Sequence, residues 1–378
     1  MNNNRIWLSL AHMGGQEQEF IQEAFDTNWV VPMGPNVDNF EKDLSIFLNS
    51  NVYVAALSAG TAALHLALII LGVQSGDEVL CQSFTFSASA NPIVYQGATP
   101  IFIDSEKDTW NMSPEHLERA IKDRLSKGKI PKAIIPVHLY GMPANMKEIQ
   151  DISIKYEIPI IEDAAEALGS KYKGQYCGTL GEMAILSFNG NKIITTSGGG
   201  ALVAHNEEYI KKARFLATQA RDIAPHYQHT QIGYNYRMSN VVAGIGRGQM
   251  MVLPDRIEQR RANNQFYRQQ LEGIEGISFQ TEPSSDYYSN YWLTSILVDP
   301  QKTNGKTRED LYLVLNELNI ETRPLWKPMH MQPIFKDCPF YGNGTSELLF
   351  RDGLCLPSGT SLTMDNLQKV ADSIKSTL

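Results

Sequence analysis

Between residues 55 and 204 short aliphatic, β-branched runs alternate with longer segments whose apolar positions recur every three or four residues. The runs at 79–81, 100–104, 133–138 (AIIPVH) and 158–162 (IPIIE), the segment between Leu186 and Phe188, and 201–204 read as buried strands. Residues 62–71, 114–125 and 146–156 carry the helical period between them. Strands that alternate with helices predict a mostly parallel sheet covered on both faces. A polar helical pattern then runs from about 238, past Pro254, to about 271. Beyond it a strand-like stretch (292–298) mixes with helical patterns at 308–318 and 364–376. The expectation is an α/β chain with a large first domain, 1–250, and a smaller α+β domain, 251–378, the long helix serving as connector.

Composition narrows the function classes. The 378 residues are 43% hydrophobic and 20% charged, ordinary for a globular protein with a sizeable core. Lys and Arg number 33 against 41 Asp and Glu, so the chain lacks the basic footprint of a nucleic-acid binder. Cys81, Cys177, Cys338 and Cys355 are scattered, with no metal-ligand spacing, and read as free thiols of a cytoplasmic protein. The apolar runs are too short to span a bilayer, and no signal-type segment opens the chain.

Three short segments carry chemistry. Ser58-Ala-Gly-Thr61 precedes a helical pattern, where free N–H groups and the helix dipole attract a phosphate; taken alone, the segment reads first as a plain helix cap. Glu162 and Asp163 end a buried strand at its carboxyl edge, where open α/β sheets place ligands, though Asp163 could instead cap the next helix. Lys192 lies in Ser187-Phe-Asn-Gly-Asn-Lys192, before a glycine run that could be only a tight turn. A lysine desolvated there is a candidate nucleophile. Together these features meet the needs of pyridoxal phosphate: a lysine for the Schiff base, an acid for the pyridine nitrogen and a phosphate cradle.

The ordered motifs SAGTAALHLAL (58–68), GDEVLCQSFTFSASANPI (76–93), GATPIFID (97–104), IEDAAEALG (161–169), SFNGNKIITTSGGG (187–200), GYNYRMSN (233–240) and PLWKPMHMQPIF (324–335) resemble the DegT/DnrJ/EryC1/StrS sugar aminotransferases over nearly the whole chain. The resemblance implies the pyridoxal phosphate fold type I, like aspartate aminotransferase. It implies Lys192 as the covalent attachment and proton shuttle, and Asp163 as partner of the pyridine nitrogen. Phe86 would stack on the cofactor ring, and Gly60, Thr61 and Ser187 would hold its phosphate. Asn235 would reach that phosphate from a neighbouring subunit, making a homodimer with shared active sites. Asn28, Tyr234, Arg237, Lys327 and His330 match positions assigned to substrate. Many members have Gln or His three residues after the ring-binding Asp, where this chain has Glu166, a departure that places an acid beside the cofactor.

The implied reaction moves an amino group from L-glutamate to a nucleotide-linked keto sugar. Residues 12–37, 187–200 and 323–333 are most similar to members acting on UDP-4-keto-6-deoxy-N-acetylglucosamine, which supply bacillosamine-type glycans and exopolysaccharides. GDP- and dTDP-linked 3- or 4-keto sugars are the alternative within the family. Relatives that dehydrate sugars replace the lysine by His, so Lys192 favours transamination over a dehydratase or lyase. A nicotinamide-dependent dehydrogenase is disfavoured, since SGGGALV is not followed by a helical pattern. A DNA-binding regulator would need a basic face that this chain lacks.

Overall fold

The computed structural model describes residues 5–48 and 51–378. Strands Tyr53–Leu57, Gly200–Ala204, Met183–Ser187 and Ile161–Asp163 lie side by side in that order. A second set runs Phe340–Tyr341, Thr99–Ile103, Glu78–Gln82, Ile134–Ile135. Parallel bridges Ile134–Ile160 and Val137–Asp163 join the two sets into one surface. Neighbours are parallel except at Gly200–Ala204, which is antiparallel to both its flanking strands. Pro136 cannot donate to a ladder, which is why the run 133–138 forms only a two-residue strand with Val137 bridging beyond it.

Alternation along the strands feeds two cores. Ala55, Leu57, Ile185 and Leu202 pack against helix Gly60–Ile70, while Val54, Ala56, Ala184, Leu186, Ala201 and Val203 face helix Pro35–Phe47 through Phe40 and Leu44. Burial on both faces explains why these strands read as continuous apolar runs. Local signals fit as well. Helix Pro114–Ser126 has Pro at its first position, Ser113 accepting from the His116 N–H, and Leu117, Ala120 and Ile121 on its buried face.

In the C-terminal part, strands Ile277–Phe279, Thr294–Val298, Gly353–Leu356 and Arg323–Pro324 make an antiparallel sheet. Helices Arg308–Glu317 and Met364–Thr377, each opened by a threonine capping box, cover it. The helix Asn240–Leu271, capped by Ser239, gives Leu253 and Ile257 to one core and Tyr267 and Leu271 to the other. The 250/251 boundary therefore falls inside one continuous helix. Ile6 pairs with Ile320, and Phe340–Tyr341 joins the large sheet, so each part also receives a segment from the other. Helix Glu17–Asp26 lacks an apolar stripe wide enough to announce it; it is anchored by the Glu17 carboxylate, which accepts from the N–H groups of Gly14 and Gly15. Among the described residues no helix is long and apolar enough to cross a membrane.

Candidate active site

The carboxyl ends of Ile161–Asp163 and Met183–Ser187 open, beside the N-terminus of helix Gly60–Ile70, into a cavity of about 310 Å³. Gly60, Thr61, Phe86, Asp163, Glu166, Ser187 and Lys192 all line it. They come from four separate segments, gathered where an open α/β sheet places its ligands.

The helix start can accept an anion. Ala59, not Ser58, is the cap residue, and no side chain caps this end, so its first N–H groups lack intrahelical partners. A Cβ on Gly60 would stand 3.2 Å from the Leu186 carbonyl and the Ser187 Cβ. The next strand comes closer still: a Cβ on Gly200 would lie 2.2 Å from the Gly60 nitrogen and 2.4 Å from the Ala59 carbonyl carbon. The glycine run is thus more than a turn, because its last member lets the strand pass beneath the cradle.

Strand alternation turns the two adjacent acids apart. Glu162 faces away from the cavity, accepting from the N–H groups of Gly178, Leu180 and Gly181 and contacting His138 Nε2 at 2.8 Å. Asp163 faces the cavity and caps no helix. Its Oδ2 accepts from Ser89 Oγ at 2.6 Å and its Oδ1 from the Ala165 N–H at 3.1 Å, and Ser89 also pairs with Thr85. The result is a buried carboxylate fixed in direction.

Lys192 Nζ lies 3.4 Å from Glu166 Oε1 and 4.1 Å from the centroid of the Trp292 ring. Burial pushes the Glu166 carboxyl above its ordinary value; the Lys192 ammonium and the Tyr140 N–H, donating at 2.7 Å, oppose that, and Asp163 adds to it. Tyr140, at φ 56°, ties this pair to the cavity wall: its ring stacks between Trp292 and Trp326, and its hydroxyl accepts from the Trp326 N–H. Opposite stands Phe86, 52% exposed, with its ring 5.2 Å from Trp326. The bare ring, the anchored carboxylate, the amine and the uncapped helix end fit pyridoxal phosphate, feature by feature.

The remaining sequence candidates lie outside the cavity of their own chain. Arg237 is engaged internally: Nη1 donates to Glu41 at 2.8 Å and to the Ala56 carbonyl. Tyr234 stacks on Tyr236 and packs against His65. His330 contacts Ser83 and Glu347 and stacks on Phe340. Lys327 offers its carbonyl to Gln332, Asn28 sits in a left-handed turn, and Asn235 is exposed. Within the segment 324–335 the cavity takes Trp326 instead. Sequence reasoning also missed Ser89 and Thr85, which flank Phe86 in its motif, and Trp292, which no local pattern marks.

A model of the DegT/DnrJ/EryC1/StrS aminotransferase family matches residues 11–375. EpsN of Bacillus subtilis (strain 168), whose assignment as a pyridoxal phosphate-dependent aminotransferase is itself provisional, is 50% identical over 98% of this chain and 95% of its own. A GDP-perosamine synthase of Escherichia coli O157:H7 is 37% identical over 95% of each. The crystal structure of a DegT/DnrJ/EryC1/StrS aminotransferase from Brucella abortus superposes with a TM-score of 0.89 at 29% identity, covering 96% of this chain and 95% of that one. With the cavity geometry, these likenesses place the chain in the DegT/DnrJ/EryC1/StrS family, as a pyridoxal phosphate-dependent sugar aminotransferase.

Proposed function

We propose that this chain transfers the amino group of L-glutamate to the 4-keto carbon of a nucleotide-linked deoxy sugar, with UDP-4-keto-6-deoxy-N-acetylglucosamine as acceptor. The observation that carries the reaction type is the placement of Lys192 between Glu166 and Trp292, in one cavity with the anchored Asp163. Lys192 would hold the cofactor covalently, Asp163 would face its ring nitrogen, and the Gly60 and Thr61 N–H groups with the Ser187 hydroxyl would hold its phosphate. Bound there, pyridoxal phosphate supplies the electron sink that amino transfer requires. Asp163, held in direction by Ser89, would present its carboxyl group to that ring nitrogen. The Lys192 amine would also move protons at the reacting carbon. Glu166, 3.4 Å from Nζ, would hold and orient the Lys192 side chain. Trp292 and Trp326 exclude water from one side.

The UDP-linked acceptor rests on the similarity of the sequence motifs. A GDP-linked acceptor is the second reading, favoured by relatives at 33–37% identity that are named GDP-perosamine synthases. The chain acts as a homodimer in this account. Trp29, Val30 and Met33 are exposed, the Val31 carbonyl accepts from the Asn240 N–H, and Ile223, Tyr227 and Ile232 are bare in the segment that leads to Asn235. Such a surface suits a partner that receives Asn235. The test is to incubate the protein with cofactor, L-glutamate and each keto sugar in turn, reading products by mass spectrometry and NMR. A UDP-4-amino sugar absent with Lys192→Ala upholds the proposal. Turnover of the GDP sugar alone replaces the acceptor, and no amination of any keto sugar sinks it.

A further inference from the structure

The cavity has a second chamber, of about 410 Å³, lined by Leu8, Ser9, Glu321, Arg323 and Cys355 among others. It shares Asn191, Trp292 and Trp326 with the chamber of Lys192. The shared wall is firmly held. Trp292 Nε1 and Ser9 Oγ donate to the Asn191 carbonyl at 2.7 and 2.8 Å. A ligand in the second chamber therefore lies one indole ring away from the reacting amine.

Among the described residues, Lys192 and Arg323 are the cations lining the two chambers. Lys192 is committed to Glu166 and to the cofactor. Arg323 sits on the short strand Arg323–Pro324, paired with Gly353–Leu356, so its backbone is set by a sheet. Its Nη2 donates to Glu321 Oε1 at 2.8 Å, while the other oxygen of Glu321 accepts from the Leu8 N–H at 3.1 Å. Glu321 is thus tied at both oxygens and aims the guanidinium. The rest of that fork has no protein acceptor among the described residues, and the side chain is 61% exposed. An arginine fork with free donors matches a carboxylate at two points.

Amino transfer needs a donor whose amine reaches the neighbourhood of Lys192 while its acidic end is held elsewhere. We propose that the second chamber is the amino-donor subsite, in which Arg323 binds a carboxylate of a dicarboxylic amino acid and Glu321 positions Arg323. This rests on the aminotransferase reading above and adds a place for the donor.

The test uses the cofactor-loaded protein and separates the two half-reactions by the absorption of the bound cofactor. Arg323→Gln should raise the L-glutamate concentration for half-maximal rate by about 10- to 100-fold, the loss of a charge-assisted bond. The reverse half-reaction, started with the amino-sugar nucleotide, should change little. Arg323→Lys, which keeps the charge and loses the fork, should fall between. Glu321→Gln should raise the half-saturating glutamate concentration and spare the limiting rate. Glutarate, which has no amine to transfer, should bind the wild type in calorimetry and not Arg323→Gln. An unchanged glutamate half-reaction in Arg323→Gln, with a weakened sugar half-reaction, overturns the proposal and gives the chamber to the sugar nucleotide. If the wild type does not react with glutamate, the donor in the reading above falls. Glutarate binding then still decides the chamber: loss in Arg323→Gln upholds a carboxylate site, and no binding overturns it.

Discussion

Gly200→Ala is a one-carbon change that should dismantle the phosphate cradle. The added Cβ would stand 2.2 Å from the Gly60 nitrogen and 2.4 Å from the Ala59 carbonyl carbon, whereas non-bonded carbons rest at about 3.5–4.0 Å, so the Ala59–Gly60 peptide must retreat by roughly 1 Å. Both sides of the clash are backbone, and Gly200 is held in register between Leu57 and Ser187, so no side chain can swing away to absorb it. Overpacking of this kind costs about 1–3 kcal/mol of stability. The larger effect is on the ligand. The displaced nitrogen is one of the groups assigned to the phosphate, and losing one charge-assisted bond of about 1.5–3 kcal/mol weakens binding by roughly 10- to 100-fold. Titrating the cofactor-free protein with pyridoxal phosphate, read by quenching of Trp292 and Trp326 fluorescence, measures this directly. Gly273→Ala is the control, since a Cβ there meets open space and should change neither affinity nor melting temperature. Wild-type affinity and an unshifted melting temperature in Gly200→Ala would refute the cradle.

Three further outcomes follow from the same geometry. Asp163→Asn should slow amino transfer by on the order of 100-fold, and Ser89→Ala, which frees one carboxylate oxygen, by about tenfold, both measured as single-turnover rates. Because burial raises the folded-state pKa of Glu166, its contribution to stability is full below the ordinary value of 4.5 and is lost as pH rises through the raised value. Chemical denaturation of cofactor-free protein over that window should therefore show Glu166→Gln gaining on the wild type as pH rises, and parallel curves would contradict it. Arg260, fully buried, donates to the carbonyls of Trp292, Ser358 and Lys192 and to Ser9 Oγ. Arg260→Met strands those acceptors and should cost on the order of 3 kcal/mol in urea unfolding, with a slower glutamate half-reaction.

The large sheet and much of the cavity were legible because their signals are local. Strands buried on both faces are apolar throughout, and the chemistry of Gly60, Asp163, Glu166, Ser187 and Lys192 sits at strand ends and loops that adjoin such runs. Strand direction was not legible: nothing in Gly200–Ala204 tells it to run against its neighbours. Nor was the two-residue edge strand Phe340–Tyr341, which is too short to carry a period. The wall of the site was hidden for a different reason. Trp292 and Trp326 lie about a hundred residues or more beyond Lys192, and only the packing around Tyr140 and the buried Arg260 brings them to it. In the segment 324–335 the charged residues drew attention, yet it is the apolar Trp326 that faces the cavity, because a cofactor ring needs a wall as much as it needs charges.

Everything proposed for the site depends on Lys192 carrying the cofactor. Reducing the cofactor-loaded protein with borohydride freezes the lysine–cofactor bond, and peptide mass spectrometry then locates it. The phosphopyridoxyl group is expected on Lys192, and it should disappear when L-glutamate is added before reduction. The group on any other lysine, or on none, would contradict it.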